Sequence, residues 1–309
     1  MSEDTEVRRT LNEQAARQLA NATKTRAQWS GITPRWLVSF LPWTPVEAGI
    51  YRLNRVVDPK GEVRTEVECS PRNDADLPET FVPYDETPRE YSLNAVTTVL
   101  DVQTRVSDLY SHPIDQIQEQ LRLLIEKVKE RQESELINNA EYGLLTNAAP
   151  SQKIKSRKGP PTPDDLDELI ARVWKEPAFF LAHPRAIAAF GRECTRRGVP
   201  PPTVTLHGSP FLTWRGIPLI PSDKLYINAE GRTNILLLRT GEAKQGVVGL
   251  FQPGVPGEVA PSLSVRFMGI NRKAIASYLI SLYCSAAILT EDALGVLEDV
   301  HVGHYHEYA

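Results

Sequence analysis

The sequence predicts a mixed α+β protein from three observations. A long amphipathic helix is indicated from Pro113 to Asn138. Two shorter helical patterns follow, one beginning at Thr162 and one running from Pro184 to Arg197, and after them come short strand patterns separated by wide loops. This segregation of helices and strands is typical of α+β folds. The third observation is a set of 24 prolines, many of them in extended segments, because proline is excluded from helix interiors.

The composition limits the class of protein. The chain has 309 residues, of which 41% are hydrophobic and 24% charged, with a mean hydropathy of −0.31, so it is long enough for two domains. No apolar run approaches the ~20 residues of a membrane span, and residues 1–14 lack the apolar region of a secretory signal. The net charge of −4 argues against nucleic-acid binding. Three widely spaced cysteines (Cys69, Cys194, Cys284) fit a reducing compartment, and we expect a cytoplasmic location.

The N-terminal stretch predicts a helix over residues 3–22, with Ser2 as its N-cap. Its apolar stripe is weak, so the helix would be marginal alone and is expected to dock on another surface, for example one on another subunit. Next comes a segment rich in aromatic residues and interrupted by prolines. That segment is either a plug in the core or an anchor onto a partner subunit, where tryptophan is favoured. The aromatic residues are Trp29, Trp36, Phe40 and Trp43.

An extended hairpin is predicted after this segment. Residues 50–57 alternate like a strand, Asp58 to Gly61 reads as a turn, and a second extended run covers residues 90–106. The polar middle has little to bury, so we expect it to be mobile alone and to lie over a neighbour in an assembly.

The long helix admits two interpretations. Its first half has one apolar stripe, whereas charges surround most of its second half. It is therefore either a solvated surface helix or a spine with one face on its own sheet and the rest against neighbouring subunits. The stripe consists of Ile114, Ile117, Leu121, Leu124 and Val128.

The following elements are predicted from caps and alternation. Thr162 caps a helix with Pro163 at its first position and acids in its first turn, and the next helix ends at Gly198. The segment from Ser277 to Leu289 is predicted to be a strand, because its apolar residues alternate.

The search for chemistry identifies no catalytic, cofactor-binding or metal residue. Gly241 to Gly246 has P-loop spacing, but Val247 and Val248 replace the required lysine and hydroxyl residue, so a hairpin turn is predicted. The pair Asp164–Asp165 is read as helix-start charge, and Trp214–Gly216 and Asp223–Lys224 as structural. His183 and His207 are not near a GxSxG motif.

We therefore expect a protein without catalysis of its own and without a cofactor. The alternative is a soluble enzyme or metal-binding protein with a site at His301, His304 and His306. A strand would, however, place His301 on the face opposite the other two.

Long stretches of the chain carry a resemblance to a known family. They include PWTPVEAGIYRLNRVV, LDVQTRVSDLYS, QLRLLIEKVKERQESEL, VWKEPAFFLAHP, RTGEAKQGVVGLFQPG and SLSVRFMGIN. Through them nearly the whole chain, from about Ala15 to Tyr308, resembles the shell protein of the family 2A encapsulins, bacterial nanocompartments built on the HK97-type phage capsid fold. Departures are confined mainly to residues 59–76, 152–158 and the first dozen.

The resemblance implies a fold, a partner and a division of the chain. The fold has an N-terminal arm (1–48), an E-loop (49–95), a P-domain with the long spine helix (96–145 and 274–309) and an A-domain (146–273). Identical subunits would form an icosahedral shell around a cargo enzyme. The cargo implied is a cysteine desulfurase that uses pyridoxal phosphate, with a role in sulfur metabolism or storage.

Overall fold

The computed structural model describes residues 11–22, 27–56, 82, 84–103 and 115–305. The helices are α1 (Glu13–Ala22), α2 (Trp36–Phe40), α3 (Gln116–Asn138), α4 (Leu144–Asn147), α5 (Pro163–Arg172) and α6 (Pro184–Arg196). The strands are β1 (Trp43–Pro45), β2 (Ile50–Leu53), β3 (Arg89–Ser92), β4 (Asn94–Gln103), β5 (Lys153–Lys155), β6 (Phe179–Ala182), β7 (Thr203–Leu206), β8 (Ser209–Trp214), β9 (Ile217–Pro221), β10 (Arg232–Leu238), β11 (Val247–Phe251), β12 (Glu258–Ala260), β13 (Leu263–Ile270), β14 (Ile275–Ile288) and β15 (Leu294–His301). No helix in these stretches is both long enough and apolar enough to cross a bilayer.

The first sheet has six strands and is built on β14. This strand pairs antiparallel with β4, β11 and β13, while β1 and β12 extend the sheet beyond β11 and β13. The prediction of a strand from Ser277 to Leu289 is therefore confirmed, except that β14 begins at Ile275 and ends at Ile288.

The second sheet has seven strands in the order β5-β15-β10-β6-β9-β8-β7. Both faces of its central strand β10 are covered. Leu236 and Leu238 pack in one apolar cluster with the end of α3, while Ile235 and Leu237 pack in another with α5 and α6. The continuous apolar run of this strand is explained by burial on both faces.

The spine helix α3 is held by apolar contacts along its length. Asp115 caps it by accepting a hydrogen bond from the Gln118 amide at 3.1 Å. Val128 packs against Ile280 of the first sheet, and Leu136 at the other end is fully buried. The interpretation of the second half as solvated is wrong, because several of its polar side chains are buried among partners that are distant in sequence. These are Glu130, Gln132, Glu133 and Ser134.

The arm helix α1 covers Glu13–Ala22 of the predicted range 3–22, of which residues 3–10 lie outside the described residues. It begins at Glu13, because the Asn12 side chain accepts a hydrogen bond from the Ala15 amide at 2.8 Å and so caps it; the proposed cap Ser2 lies outside the described residues. Just before it, the backbone of Leu11 makes two hydrogen bonds with the Gln116 side chain, at 2.6 and 3.0 Å. The arm is thereby clipped to the start of α3.

The base of the predicted hairpin is confirmed. β2 pairs antiparallel with β3 from Ile50–Ser92 to Leu53–Arg89, and an isolated bridge joins Val56 to Tyr84. The polar middle of the hairpin lies outside the described residues.

The caps of the two shorter helices are also confirmed. Thr162 and Asp165 form a reciprocal capping box at the start of α5, and Pro163 occupies its first turn. α6 ends at Arg196, followed by Gly198 with a φ of +70°.

The prediction of a hairpin turn between Gly241 and Gly246 is wrong in one respect. The segment is a tight turn, closed by a hydrogen bond from the Gly246 amide to the Gly241 carbonyl at 2.8 Å. However, the strands on either side, β10 and β11, belong to different sheets, so the turn carries the chain from one sheet to the other.

Candidate functional site

The joint between the two sheets is centred on Arg239. Residues 239–246 connect β10 to β11, and residues 289–293 connect β14 to β15, so two connections run between the sheets here. The Arg239 guanidinium is 1% exposed and contacts both connections. Its Nη2 donates to Asp292 Oδ1 at 2.7 Å and to Thr290 Oγ1 at 2.6 Å, while its Nη1 lies 3.2 Å from Asp292 Oδ2. One buried cation thus ties the two connections together.

The electrostatics of this joint favour the ion pair. Hydrogen bonds from Arg239 hold the pKa of Asp292 well below its usual range, against the opposite effect of burial, and Lys175 adds a contact at 2.8 Å. The glycine at the end of the turn is also required, because a Cβ at Gly246 would lie 2.5 Å from the Arg239 carbonyl oxygen. The P-loop-like glycine spacing therefore serves a close backbone approach rather than a phosphate.

A second charged cluster joins the arm, the spine helix and the loop after β9. Arg35 lies 2.7 Å from Glu126 and 3.2 Å from Glu130, and Lys224 lies 2.8 Å from the other oxygen of Glu130. The amide and hydroxyl of Thr33 also donate to Glu130, at 2.8 and 2.9 Å. Glu130 therefore has a partner for each oxygen although it is only 4% exposed.

These contacts set the protonation of the cluster. Burial alone raises the pKa of Glu130, but the hydrogen bonds from Lys224 and Thr33 outweigh it and lower the pKa overall. Burial alone lowers the pKa of Lys224, but the contacts with Asp223 and Glu130 outweigh it and raise the pKa above its ordinary value. The Asp223–Lys224 pair, predicted to be structural, thus links an exposed carboxylate to the ion pairs that buried Glu130 makes with Lys224 and Arg35.

Glu133, one turn further along α3, is in a different situation. Its Oε1 accepts a hydrogen bond from the Ser222 hydroxyl at 2.7 Å, whereas its Oε2 is buried and has no hydrogen-bond partner among the described residues. Burial raises the pKa of this carboxyl, although Ser222 and Lys224 act in the opposite direction.

The aromatic arm segment packs on its own subunit. The Trp36 ring lies 5.2 Å from that of Phe211, and the Phe40 ring 5.5 Å from that of Phe179. Trp43 stacks on the backbone of Gly249, where a Cβ would lie 2.7 Å from its ring. Of the two interpretations, the core plug is therefore the correct one for these residues. Trp29, 43% exposed, instead receives the Lys127 ammonium over its ring at 5.5 Å.

The histidines singled out in the sequence have structural surroundings. Nδ1 of His183 caps α6 by accepting from the Arg185 amide at 3.0 Å, and burial, followed by Arg185, lowers its pKa. The His207 ring lies 4.8 Å from that of Phe40. His301 is in β15, His304 follows it, and His306 lies outside the described residues, among which no group of three metal-ligating side chains occurs.

Neither the two described thiols nor a groove beside α3 offers an acid–base pair among the described residues. Burial raises the pKa of Cys194 to about 11 and that of Cys284 to about 12, so both are neutral near pH 7. A groove of about 550 Å³ between the arm, α3 and the first sheet is lined mainly by apolar residues, with Arg35 and Lys129 as its charged lining.

Sequence reasoning missed Arg239, Asp292 and Glu130. The available signal was an arginine directly after the apolar run of β10 and an aspartate three positions after the apolar run that ends at Leu289. A charged residue in such a position is buried only if it is paired.

Comparisons with known proteins agree with each other. The model of the SrpI-like family, described as the type 2A encapsulin shell protein, matches residues 51–304. The chain is 68% identical over 298 residues to the type 2A encapsulin shell protein SrpI of Synechococcus elongatus, covering 96% of both sequences. The cryo-EM structure of the holo-SrpI encapsulin complex from S. elongatus PCC 7942 matches with a TM-score of 0.84 and 66% identity, over 97% of this chain and 99% of that one. The capsid of a native GTA particle matches with a TM-score of 0.62 and 12% identity, over 89% of this chain and 93% of that one, which is a likeness of fold alone.

Proposed function

The chain belongs to the SrpI-like family of type 2A encapsulin shell proteins, and from this premise we propose how it works in the cell. As a member of that family it is a shell protein of an encapsulin nanocompartment. Its α+β fold is the HK97 phage-capsid type, which confirms what the resemblance implied. We propose that identical copies close into an icosahedral cage in the cytoplasm, and that the shell has no catalysis of its own.

The observation that carries this proposal is the 68% identity to SrpI over 96% of both chains. Size exclusion and negative stain test it directly. We expect round particles far above the 34.5 kDa of one chain. A monomer or dimer at micromolar concentration would contradict the proposal.

The cargo is proposed to be a cysteine desulfurase that uses pyridoxal phosphate, with the compartment serving sulfur metabolism or storage. Support comes from the resemblance in sequence, and the related SrpI structure is described as a holo complex. Co-expression of the shell with a desulfurase tests the assignment: enzyme protein and the pyridoxal phosphate absorbance should elute with the particle. The same enzyme co-expressed with an unrelated shell is the control. A desulfurase that elutes only at its own size would argue against this cargo.

We propose the four-part division implied by the resemblance: arm 1–48, E-loop 49–95, P-domain 96–145 with 274–309, and A-domain 146–273. Each of the two large sheets contains strands from both the P-domain and the A-domain ranges. β11 and β13 from the A-domain range pair with β14, and β15 from the second P-domain range pairs with β10. We therefore treat these two parts as one cooperative unit joined at Arg239 and Asp292.

The arm has two parts with different expected roles. Leu37 and Leu41 are 0% and 3% exposed in the subunit core, so deleting residues 1–48 should unfold the subunit. Deleting only residues 1–26 should leave a folded subunit that assembles less well. Unchanged shells after that shorter deletion would show that the start of the arm is dispensable.

A further inference from the structure

Two buried carboxyl groups lie three positions apart on α3, and among the described residues only one of them is paired with a cation. Glu130, 4% exposed, has Lys224 at 2.8 Å and Arg35 at 3.2 Å. Glu133, 1% exposed, accepts a hydrogen bond from the Ser222 hydroxyl through Oε1, whereas its Oε2 has no hydrogen-bond partner in the part of the chain that the structure describes. A buried carboxylate that lacks a cation is costly, so the free energy of this site depends on whether Glu133 carries a proton.

The ammonium that acts on Glu133 has no N–H group to spare. Nζ of Lys224 contacts Glu130 Oε2 at 2.8 Å, Asp223 Oδ1 at 2.5 Å and Thr33 Oγ1 at 3.4 Å. These three contacts use the three N–H groups of an ammonium. An ionised Glu133 could therefore gain Lys224 as a partner only by taking it from one of the other three groups.

The other charges around this site are committed as well. Arg35 contacts Glu126 at 2.7 Å in addition to Glu130, and Lys129 lies 3.6 Å from Glu126. At the start of α6, His183 interacts with Asp223. The charged and titratable groups that surround Glu133 are thus Glu126, Lys129 and Glu130 of α3, Arg35 of the arm, Asp223 and Lys224 after β9, and His183.

Glu133 is enclosed between α3, the arm helix α2 and the loop after β9. The Val38 amide of α2 and the Ser222 hydroxyl of the loop both lower its pKa, and burial, the larger effect, raises it. The loop is fixed beside the second sheet, because the Ser222 amide donates to a carbonyl of β6 at 2.9 Å. The five residues of α2 are instead held by Leu37 and Leu41, which pack in one apolar cluster with the end of α3. We therefore expect α2 to be the element that moves when water reaches the carboxylate.

We propose that Glu133 is a proton-linked switch for the arm root, defined here as residues 33–41: the protonated carboxyl keeps the arm root docked on α3, and the ionised carboxyl favours its opening. The arm root joins residues 1–32 to the rest of the subunit, so its opening should weaken the contacts that the arm makes in a shell. This last step rests on the proposed shell function, whereas the local opening does not.

The direction of the pH dependence follows from the two states. Burial raises the pKa of Glu133 while the arm root is closed, and contact with water returns it to about 4.3 when the arm root opens. The closed state is therefore fully stable below about pH 4.3 and loses stability as the pH rises from there to the raised pKa. Within this window the opening constant should rise by up to about tenfold per pH unit. The lowered pKa of Glu130 and the raised pKa of Lys224 keep both of these groups charged throughout.

Hydrogen–deuterium exchange of the assembled full chain between about pH 5 and pH 9 tests the switch, with rates corrected for intrinsic exchange. In the parent protein, opening of residues 36–41 should rise with pH by up to about tenfold per unit and then level off. Glu133→Gln should show no such rise, because an amide does not ionise. Glu141→Gln changes the charge equally at an exposed position beyond α3 and should behave like the parent. His183 is present in all of these proteins, so its own titration cancels in the comparison.

The variant Ser222→Ala distinguishes a switch from a structural carboxyl. Losing this hydrogen bond should raise the pKa of Glu133 further, so the pH at which opening levels off should move up by about one unit. A purely structural role predicts weaker protection at every pH and no such displacement. Mass photometry measures the effect on the shell: the unassembled fraction should be larger at pH 8 than at pH 5.5 in the parent and equal at both in Glu133→Gln.

The outcomes separate the switch from the shell function. Parallel pH profiles in the parent and Glu133→Gln, or an undisplaced profile in Ser222→Ala, would overturn the switch. Opening that depends on pH beside an unassembled fraction that does not would overturn its effect on the shell. A parent chain that forms no particle overturns the shell function, while the exchange profile of the free subunit still decides the switch. Circular dichroism checks folding, and if Glu133→Gln is unfolded, Ser222→Ala decides.

Discussion

Replacing Asp292 with asparagine removes the carboxylate that faces the buried Arg239 guanidinium, and we expect a loss of about 3 kcal/mol in the free energy of unfolding. Breaking a buried ion pair by removing one partner costs about 3–5 kcal/mol, because the other charge stays buried. The lower end applies here for two reasons. The Asp292 side chain is 24% exposed, and Arg239 keeps its hydrogen bond to Thr290 at 2.6 Å. The bridge from half-exposed Lys175 adds at most about 1 kcal/mol.

The pH dependence has a definite sign. The folded-state pKa of Asp292 is lowered, chiefly by the hydrogen bonds from Arg239. Its contribution is therefore fully present above the unfolded pKa of about 3.9 and is lost as the pH falls toward the folded value. The difference between the parent protein and Asp292→Asn should be largest near pH 7 and shrink below about pH 4.

Urea unfolding of dissociated subunits at pH 7 and at pH 3 provides the measurement. Glu291→Gln is the matched control, because Glu291 is the exposed neighbour of Asp292 and its loss should change stability by less than about 0.5 kcal/mol. The reasoning about the joint fails if Asp292→Asn is as stable as this control at pH 7, or if its deficit is undiminished at pH 3.

Three further predictions concern the core, the spine helix and the thiols. Leu37→Ala should cost about 2–5 kcal/mol in urea unfolding, because Leu37 is 0% exposed, whereas Val199→Ala, at 49% exposed, should be nearly neutral; equal effects would argue against the arm as a core element. Glu133→Gln should be more stable than the parent protein at pH 8 and equally stable near pH 4. The reason is that burial raises the pKa of Glu133, so the parent loses stability as the pH rises through that pKa. A stability advantage of the variant that does not depend on pH would contradict the raised pKa. In a Cys69→Ser variant, a thiol-reactive disulfide compound at pH 8 should not label the folded protein until urea is added, because Cys194 and Cys284 are 0% exposed. Rapid labelling of the folded chain would show that one of these two thiols is accessible.

The parts of the fold that were predictable from sequence depend on neighbours along the chain. The capping box of Thr162 and Asp165 and the strand nature of residues 277–288 follow from spacing alone. The burial of Glu130 does not, because its partners Arg35 and Lys224 are 95 and 94 positions away in sequence and come together only in the folded subunit.

The same limit applies to the connections between sheets. The turn from Gly241 to Gly246 looks like any hairpin, since local residues specify the turn and not the sheet that the next strand joins. Arg239 could have been noticed as a charge beside an apolar run, but its pairing with Asp292 crosses 53 positions. Function came from the resemblance of long stretches, because a shell protein needs surfaces rather than a short chemical motif.

The place of β15 in the second sheet has a consequence for synthesis on the ribosome. Among the described residues this strand follows all the others in sequence, yet it lies between β5 and β10 rather than at an edge. Until β15 has been translated, a nascent chain lacks this strand of the second sheet, and the backbone groups of β10 are unpaired on one side. The second sheet is therefore completed only after residues 294–301 have been translated, and we expect a chain truncated before them to lack a stable second sheet.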